Sequence, residues 1–105
     1  MDKINPKHYQ QYSMQCIDIT EQLPFCLGNC IKYIWRAGDK DEASTDYEKA
    51  LWYLNRAENN REFTFKVTLD LHKIASEMTG IKQDMFIALY TNNYAWLRQL
   101  LNQAI

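Results

Sequence analysis

The sequence is poor in the residues that interrupt helices. Its 105 residues include only three glycines and two prolines. A Walker-type phosphate loop and the dinucleotide-binding fingerprint both need clustered glycines, because backbone N–H groups must approach the phosphates. Neither pattern is present, and the serine elbow of hydrolases and the paired histidines of metalloprotease helices are missing too. The scarcity of glycine and proline favours a helical protein, and the common enzyme motifs are excluded.

The chain also lacks a large net charge, an even number of cysteines and long apolar runs. Twelve basic residues face thirteen acidic ones, so there is no overall positive field to hold long nucleic acid or an anionic membrane. Three cysteines are an odd number, which is not the pattern of a disulfide framework, and no apolar run is long enough for a membrane span. We expect a single cytoplasmic domain over residues 1–105.

Hydrophobic periodicity predicts an all-α fold, a compact helical domain with a central helical hairpin. Residues 1–12 are polar, aromatic and aperiodic, and they predict an ordered loop. Ser13 is a candidate N-cap for a short first helix that runs to about Gln22, with Met14 and Ile17 facing inward. This helix precedes the hairpin.

The hairpin is predicted from two periodic segments. The first runs from about Cys26 to Ala37, and Gly38 follows where a left-handed C-terminal cap would lie. The second begins at a capping box formed by Thr45 and Glu48 and frays near Asn59. The acidic connector between the two helices is expected to be solvated, and it includes Asp39, Asp41, Glu42 and Asp46.

The C-terminal half is predicted to be helical as well. Residues 63–71 alternate like a strand, but their extension fits one helix that ends at Gly80. Further helices are expected over residues 84–90 and 93–104, with a break at residues 91–93. These last segments are apolar nearly all round, which indicates packing against another subunit and a homo-oligomer. We therefore divide the domain into residues 1–60, which carry the candidate site, and an extension over residues 61–105.

Four polar residues share one side of the second helix, opposite its apolar side. They are Asn29, Lys32, Tyr33 and Arg36. Lys32 and Arg36 lie four residues apart, so they repel each other by a few tenths of a kcal/mol, and a bound anion such as phosphate would relieve that cost. The alternative is an ordinary solvated face. If these residues bind a ligand, Lys32→Ala combined with Arg36→Ala should abolish binding and change stability by no more than about 0.5 kcal/mol, because an exposed like-charged pair contributes little to folding.

The third helix carries a similar group at positions i, i+3, i+4 and i+7. Its members are Lys49, Trp52, Tyr53 and Arg56. Bases stack on aromatic rings for about 1 to 3 kcal/mol each while basic side chains bind phosphate oxygens, so this mixture suits a nucleotide. The alternative is that Trp52 and Tyr53 belong to the core and the basic groups extend past them to water.

Metal chemistry has weak support in the sequence. Cys26 and Cys30 could bind zinc together with Cys16 and His8, but their spacing is not diagnostic, and we expect no metal site.

His8 and Tyr9 follow Pro6 in the predicted N-terminal loop. A histidine in such a loop can donate to a phosphate or move a proton near neutral pH.

Several motifs in the first half of the chain resemble those of a known family. They are Asn5-Pro6-x-His8-Tyr9, Cys16-Ile17-Asp18, the run from Leu27 to Asp41 that contains Lys32, Tyr33, Arg36, Gly38 and Lys40, and Asp46-x-x-Lys49-Ala50-x-x-Tyr53-Leu54. This pattern is similar to that of small phage and prophage proteins, long of unknown function, that include a podophage nucleotide kinase. The resemblance covers about half of the chain and implies nucleotide handling in the cytoplasm of a host cell.

Three functions follow as expectations. In the first, the protein acts as a sponge in counter-defence: it sequesters a nucleotide, including a cyclic or signalling nucleotide of host defence, without turnover and without a cofactor. In the second, it is a nucleoside monophosphate kinase that uses ATP and Mg²⁺, with Lys32, Arg36 and Lys49 on the phosphoryl group and Asp18 or Asp41 on the metal. In the third, it is an adaptor that inhibits a host enzyme through its apolar C-terminal face.

The candidate ligand-binding residues are drawn from the loop, the two helix faces and the connector. They are Asn5, His8, Tyr9, Asn29, Lys32, Tyr33, Arg36, Lys40, Lys49, Trp52, Tyr53 and Arg56.

Overall fold

Six α-helices form the fold in the computed structural model, which describes residues 12–39 and 42–105. They are α1 Cys16–Thr20, α2 Phe25–Arg36, α3 Ala43–Asn59, α4 Thr68–Glu77, α5 Gly80–Tyr90 and α6 Tyr94–Ala104. A 3₁₀ turn, Phe65–Val67, precedes α4, and the described residues contain no strand. The all-α prediction is confirmed. The radius of gyration is 12.7 Å, close to the value of about 13 Å expected for a folded domain of this length.

The central hairpin consists of α2 and α3, which pack against each other along their length. The end of α2 meets the start of α3, where Arg36 contacts Asp46, and the start of α2 meets the end of α3, where Cys26 contacts Asn60. The two helices are therefore antiparallel. Gly38 has a φ of +87°, so the left-handed position predicted after α2 is confirmed.

Both ends of α2 are tied to distant parts of the chain. At its start, the backbone N–H of Leu27 donates to the Glu62 carboxylate at 2.8 Å, and the Tyr94 hydroxyl donates to the backbone carbonyl of Glu62 at 2.6 Å. At its end, the Lys82 ammonium donates to the carbonyl oxygens of Trp35 at 2.9 Å and Ala37 at 3.0 Å. These bonds satisfy backbone groups that have no partner within the helix.

The C-terminal helices complete one core with the hairpin. α6 packs on α3 and α5, and α4 packs on α5. Fully buried side chains come from both halves of the chain, among them Ile31, Ile34, Leu54, Phe86, Leu89, Leu97 and Leu101. Most of the apolar surface that suggested a subunit interface is thus used inside the chain, and homo-oligomerisation stays a prediction. No helix within the described ranges has the length and apolarity needed to cross a membrane.

The first helix is shorter than predicted and begins at a different cap. Ser13 lies outside it, and its backbone N–H donates to Glu77 at 2.8 Å while its hydroxyl donates to the same carboxylate. The start of α1 is instead closed by Asp18, whose carboxylate accepts from the backbone N–H of Gln15 at 2.9 Å. The inward residue is Ile19, and Ile17, predicted to face inward, is 57% exposed.

The third helix begins two residues before its predicted capping box. It starts at Ala43 with Glu42 at the N-cap, so Thr45 lies within the first turn and makes no capping hydrogen bond. The predicted box is therefore wrong.

The strand alternative for residues 63–71 is wrong. This part of the chain is helical from residue 65 onward, as a 3₁₀ turn followed by α4. The predicted stop at Gly80 is wrong, because α4 ends at Glu77 and Gly80, with a φ of +67°, begins α5. The predicted break at residues 91–93 is confirmed. Asn92 has a φ of 53° there, and the Asn93 side chain caps α6 by accepting from the N–H of Trp96 at 3.1 Å.

Candidate functional site

Three basic side chains from two helices surround the ring of Tyr33. The Lys32 ammonium lies 4.7 Å from the ring centroid, the Lys49 ammonium 5.4 Å and the Arg36 guanidinium carbon 5.5 Å. Cations within about 6 Å of an aromatic centroid are attracted by the ring, by about 0.5–1 kcal/mol at exposed sites. Tyr33 therefore offsets part of the repulsion among these positive groups.

The aromatic rings next to Tyr33 form a continuous group. The Tyr53 ring stacks on Tyr33 with centroids 5.9 Å apart and an interplanar angle of 12°. Phe25 and Trp52 both meet Tyr53 edge to face, at 6.1 Å and 5.0 Å. Trp52 is 56% exposed, and the Arg56 guanidinium lies 5.2 Å from its ring centroid. The alternative that Trp52 is a core residue is therefore wrong, whereas Tyr53 is half-buried.

The outward sides of α2 and α3 thus converge into one surface. We call it the basic–aromatic face, formed by Lys32, Tyr33, Arg36, Lys49, Trp52, Tyr53 and Arg56. Within the described part of the chain, neither Lys32 nor Lys49 forms a salt bridge, although both are exposed. Two lysines beside one ring, with no carboxylate partner in the part of the chain that the structure describes, make a local excess of positive charge that favours an anion.

Arg36 differs from the two lysines because it contacts a buried carboxylate. Its Nε lies 3.5 Å from Oδ1 of Asp46, which is completely buried. Neither carboxylate oxygen of Asp46 has a hydrogen-bond partner among the described residues. The expectation that Asp46 belongs to a solvated connector is wrong, because the early start of α3 turns this residue toward α2. A buried carboxylate depends strongly on a nearby cation, so Arg36 also supports the fold.

The remaining predicted site residues fall into two groups. Asn29 lies one turn before Lys32 and Tyr33, and its side-chain N–H donates to the carbonyl of Phe25 at 2.9 Å. Four others lie outside the described residues: Asn5, His8, Tyr9 and Lys40.

A groove between α1 and α2 adjoins the basic–aromatic face. It has a volume of about 370 Å³ and is lined by Ile17, Thr20, Glu21, Leu23, Pro24, Phe25, Gly28, Asn29 and Lys32. We call it the α1–α2 groove. Of these residues, only Asn29 and Lys32 were predicted from the sequence to bind a ligand. Periodicity within one helix cannot show how two helices sit side by side, although the exposed Phe25 after Pro24 was a possible signal.

The cysteines and carboxylates show no arrangement typical of a metal site. Within residues 12–39 and 42–105, no three His, Cys, Asp or Glu side chains are grouped so that they could hold a metal ion. Burial raises the pKa of the Cys16 thiol to about 12, against a smaller lowering by Lys32, and burial also raises the pKa of Cys30. Neutral buried thiols act as small apolar groups in a core.

The fold and the site together define a small all-helical protein with a basic and aromatic surface on its central hairpin. Residues 3–55, half of the chain, match DUF3310, a family of proteins of unknown function, and the chain belongs to this family. No curated protein and no solved structure matches the chain. The matched segment includes Lys32, Tyr33, Lys49 and Tyr53, whereas α4, α5 and α6 lie beyond it.

Proposed function

We propose that this protein binds a nucleotide on the basic–aromatic face and holds it without chemical turnover. One observation carries the proposal: Lys32 from α2 and Lys49 from α3 bring their ammonium groups to the same Tyr33 ring, and that ring stacks on Tyr53. Nucleotides combine the two chemistries this surface offers, since phosphates bind ammonium groups and bases stack on aromatic rings.

The two lysines are suited to bind the phosphates of the ligand. Each ammonium group lies within about 5.5 Å of one ring centroid, so a short chain of phosphates, or a cyclic phosphate, can contact both. Exposed lysines are hydrated and mobile, and a ligand that orders them must supply charge-assisted hydrogen bonds in return. Arg36 adds positive charge beside them while it contacts Asp46.

We favour sequestration because it needs binding affinity alone, whereas phosphoryl transfer also needs two nucleotides and a metal ion to be positioned. The sequence contains no Walker-type phosphate loop for that purpose. Asp18, one of the two candidate Mg²⁺ ligands, is exposed and accepts a hydrogen bond from Gln15 at the start of α1. Asp41, the other candidate, lies outside the described residues.

This proposal also includes a phage origin and a relation to a podophage nucleotide kinase. It further includes a role as a sponge for a signalling nucleotide of host defence. Their support is the resemblance of the motifs in the first half of the chain, and those within the described residues lie mainly on α1, α2 and α3. Family membership itself assigns no activity, because the family is one of unknown function.

Calorimetric titration with a panel of linear and cyclic nucleotides tests the proposal. We expect saturable binding by the wild-type protein and at least tenfold weaker binding by a Lys32→Ala, Lys49→Ala double variant, which corresponds to at least about 1.4 kcal/mol. The matched control is Lys66→Ala, Lys73→Ala, because both lysines are exposed and lie outside the face. Equal affinity in the two double variants would overturn the proposal, as would the absence of binding to every nucleotide.

Turnover is tested on the same protein. After incubation with ATP, Mg²⁺ and a nucleoside monophosphate, the sample is denatured and the released nucleotides are separated. We expect the ligand to be recovered unchanged. New nucleoside diphosphate would contradict sequestration and support the kinase.

A further inference from the structure

We infer that the α1–α2 groove receives the nucleobase and sugar of the bound nucleotide, while the phosphates lie on the other side of Lys32 against the basic–aromatic face. This inference rests on the proposed function. It adds a second part to the site, and most residues of this part, unlike Asn29 and Lys32, were not predicted to bind a ligand. It assigns to this part the recognition of the base.

The groove has the size and position that this role requires. Its volume of about 370 Å³ lies within the range of about 300–1,000 Å³ typical of small-molecule sites. The close approach of α1 to α2 depends on Gly28, because a Cβ at this position would lie only 3.3 Å from the backbone oxygen of Thr20. Gly28, which also lines the groove, therefore allows the close contact between the two helices beside it.

The groove and the basic–aromatic face are linked at two points. Lys32 lines the groove and also places its ammonium 4.7 Å from the Tyr33 centroid. Phe25 lines the groove and also contacts the Tyr53 ring edge to face. If the phosphate of a nucleotide binds Lys32 and Lys49, its base and sugar can therefore lie in the groove.

The walls of the groove fit a flat heterocycle. Phe25 is 73% exposed and Ile17 is 57% exposed, so two large apolar side chains from neighbouring helices face water at the same cavity. Apolar groups left in water on both sides of a cavity favour an aromatic ligand that covers them. A nucleobase is such an aromatic group. The sugar of the nucleotide sets the distance between the base and the phosphate.

The polar residues of the groove suit a base that carries an exocyclic amino group. Glu21 is an acceptor when ionised, and it lines the same cavity as Thr20 and Asn29. A carboxylate accepts hydrogen bonds from the amino groups of cytosine or guanine and repels a carbonyl oxygen at the same place. We therefore expect amino-bearing bases to be preferred to bases that lack this amino group or carry a carbonyl oxygen in its place.

Substitution of Phe25 tests the placement of the base. Nucleotide affinity is measured by calorimetry for Phe25→Ala, and inorganic pyrophosphate serves as a probe of the phosphate part alone. We expect Phe25→Ala to weaken nucleotide binding at least tenfold and to leave pyrophosphate binding unchanged. The matched control is Phe65→Ala, since Phe65 is also 73% exposed but lies outside the groove.

Substitution of Glu21 tests the recognition of the base. The affinity ratios of GMP to IMP and of CMP to UMP are compared in the wild-type protein and in Glu21→Ala. We expect ratios above one in the wild-type protein that fall to about one in the variant. A uniform rise in affinity from the loss of one negative charge would not change these ratios, so the ratio isolates the contact to the base.

The outcomes separate the two proposals. If Lys32→Ala, Lys49→Ala abolishes nucleotide binding but Phe25→Ala and Glu21→Ala leave affinity and base preference unchanged, the groove inference is wrong and the proposed function stands. If the wild-type protein binds neither pyrophosphate nor any nucleotide, both are wrong. Amide chemical shifts of the unmodified protein give a second measurement: nucleotide, unlike pyrophosphate, should shift Gly28 and Asn29.

Discussion

Arg36 and Asp46 join the end of α2 to the start of α3, with Nε of the guanidinium 3.5 Å from a carboxylate oxygen that is completely buried. A carboxylate in such a position is costly unless a cation lies beside it. The contact therefore gives Arg36 a structural role in addition to its place on the basic–aromatic face, and it separates Arg36 from Lys32 and Lys49.

Arg36→Ala is expected to lower the free energy of unfolding by about 2 kcal/mol, because it leaves the buried Asp46 carboxylate without this cation. The expected loss is smaller than for a fully buried ion pair, since Arg36 is partly exposed. This replaces the expectation that Lys32 and Arg36 can both be removed at little cost. Urea unfolding measures the change. Lys32→Ala is the control and should stay within about 0.5 kcal/mol of wild type. An Arg36→Ala protein as stable as Lys32→Ala would contradict the structural role.

The Lys82→Met variant is expected to lose about 1.5–3 kcal/mol of stability, because the ammonium donates to two carbonyl oxygens at the end of α2. Methionine keeps most of the length of the side chain but donates no hydrogen bond. Burial lowers the pKa of Lys82, and the nearby Asp39 and Asp46 oppose this shift. Chemical denaturation should show a much smaller change for Lys73→Met, since Lys73 is exposed on α4.

The contact of Glu77 with Ser13 predicts a pH-dependent contribution to stability. Hydrogen bonds from the Ser13 hydroxyl and backbone N–H lower the pKa of Glu77. A carboxylate whose folded pKa lies below its unfolded value, about 4.3, stabilises the fold above that value and stops doing so as pH falls through the folded pKa. The melting temperatures of wild type and Glu77→Gln should differ at neutral pH and converge below about pH 4. A difference that stays constant would count against this linkage.

The buried hydroxyl of Thr64 connects the loop after α3 to the end of α5. It lies 2.9 Å from the carbonyl of Leu89 and 3.0 Å from the side-chain oxygen of Asn92. Thr64→Val keeps the shape but leaves these acceptors without the hydroxyl donor, and we expect a loss of about 1–3 kcal/mol in thermal or urea unfolding. Thr45→Val on the surface of α3 is the matched control. Equal effects of the two substitutions would show that the buried bond contributes little.

The parts of the fold that were predicted correctly depend on local signals. The apolar spacing of α2, the positive φ of Gly38 and the break between α5 and α6 each follow from a few neighbouring residues. The convergence of Lys32 and Lys49 also follows from local spacing, once α2 and α3 form a hairpin.

The parts that were missed depend on distant contacts. Ser13 does not cap α1 because it bonds to Glu77, sixty-four residues further along the chain. The burial of Asp46 requires α2 as a neighbour, and the α1–α2 groove requires the relative placement of two helices. Helical periodicity describes one helix at a time, so it contains no information on these features.

The hydrogen bond from the Leu27 N–H to Glu62 lies at one end of the hairpin, and the ion pair of Arg36 with Asp46 lies at the other. These two contacts fix the spacing of α2 and α3 before a ligand arrives. The rings of Tyr33 and Tyr53 are therefore preorganised, and only the two lysine side chains lose much freedom on binding. Small scaffolds with such a rigid platform can hold a ligand tightly through few contacts, because little conformational entropy is lost when the complex forms.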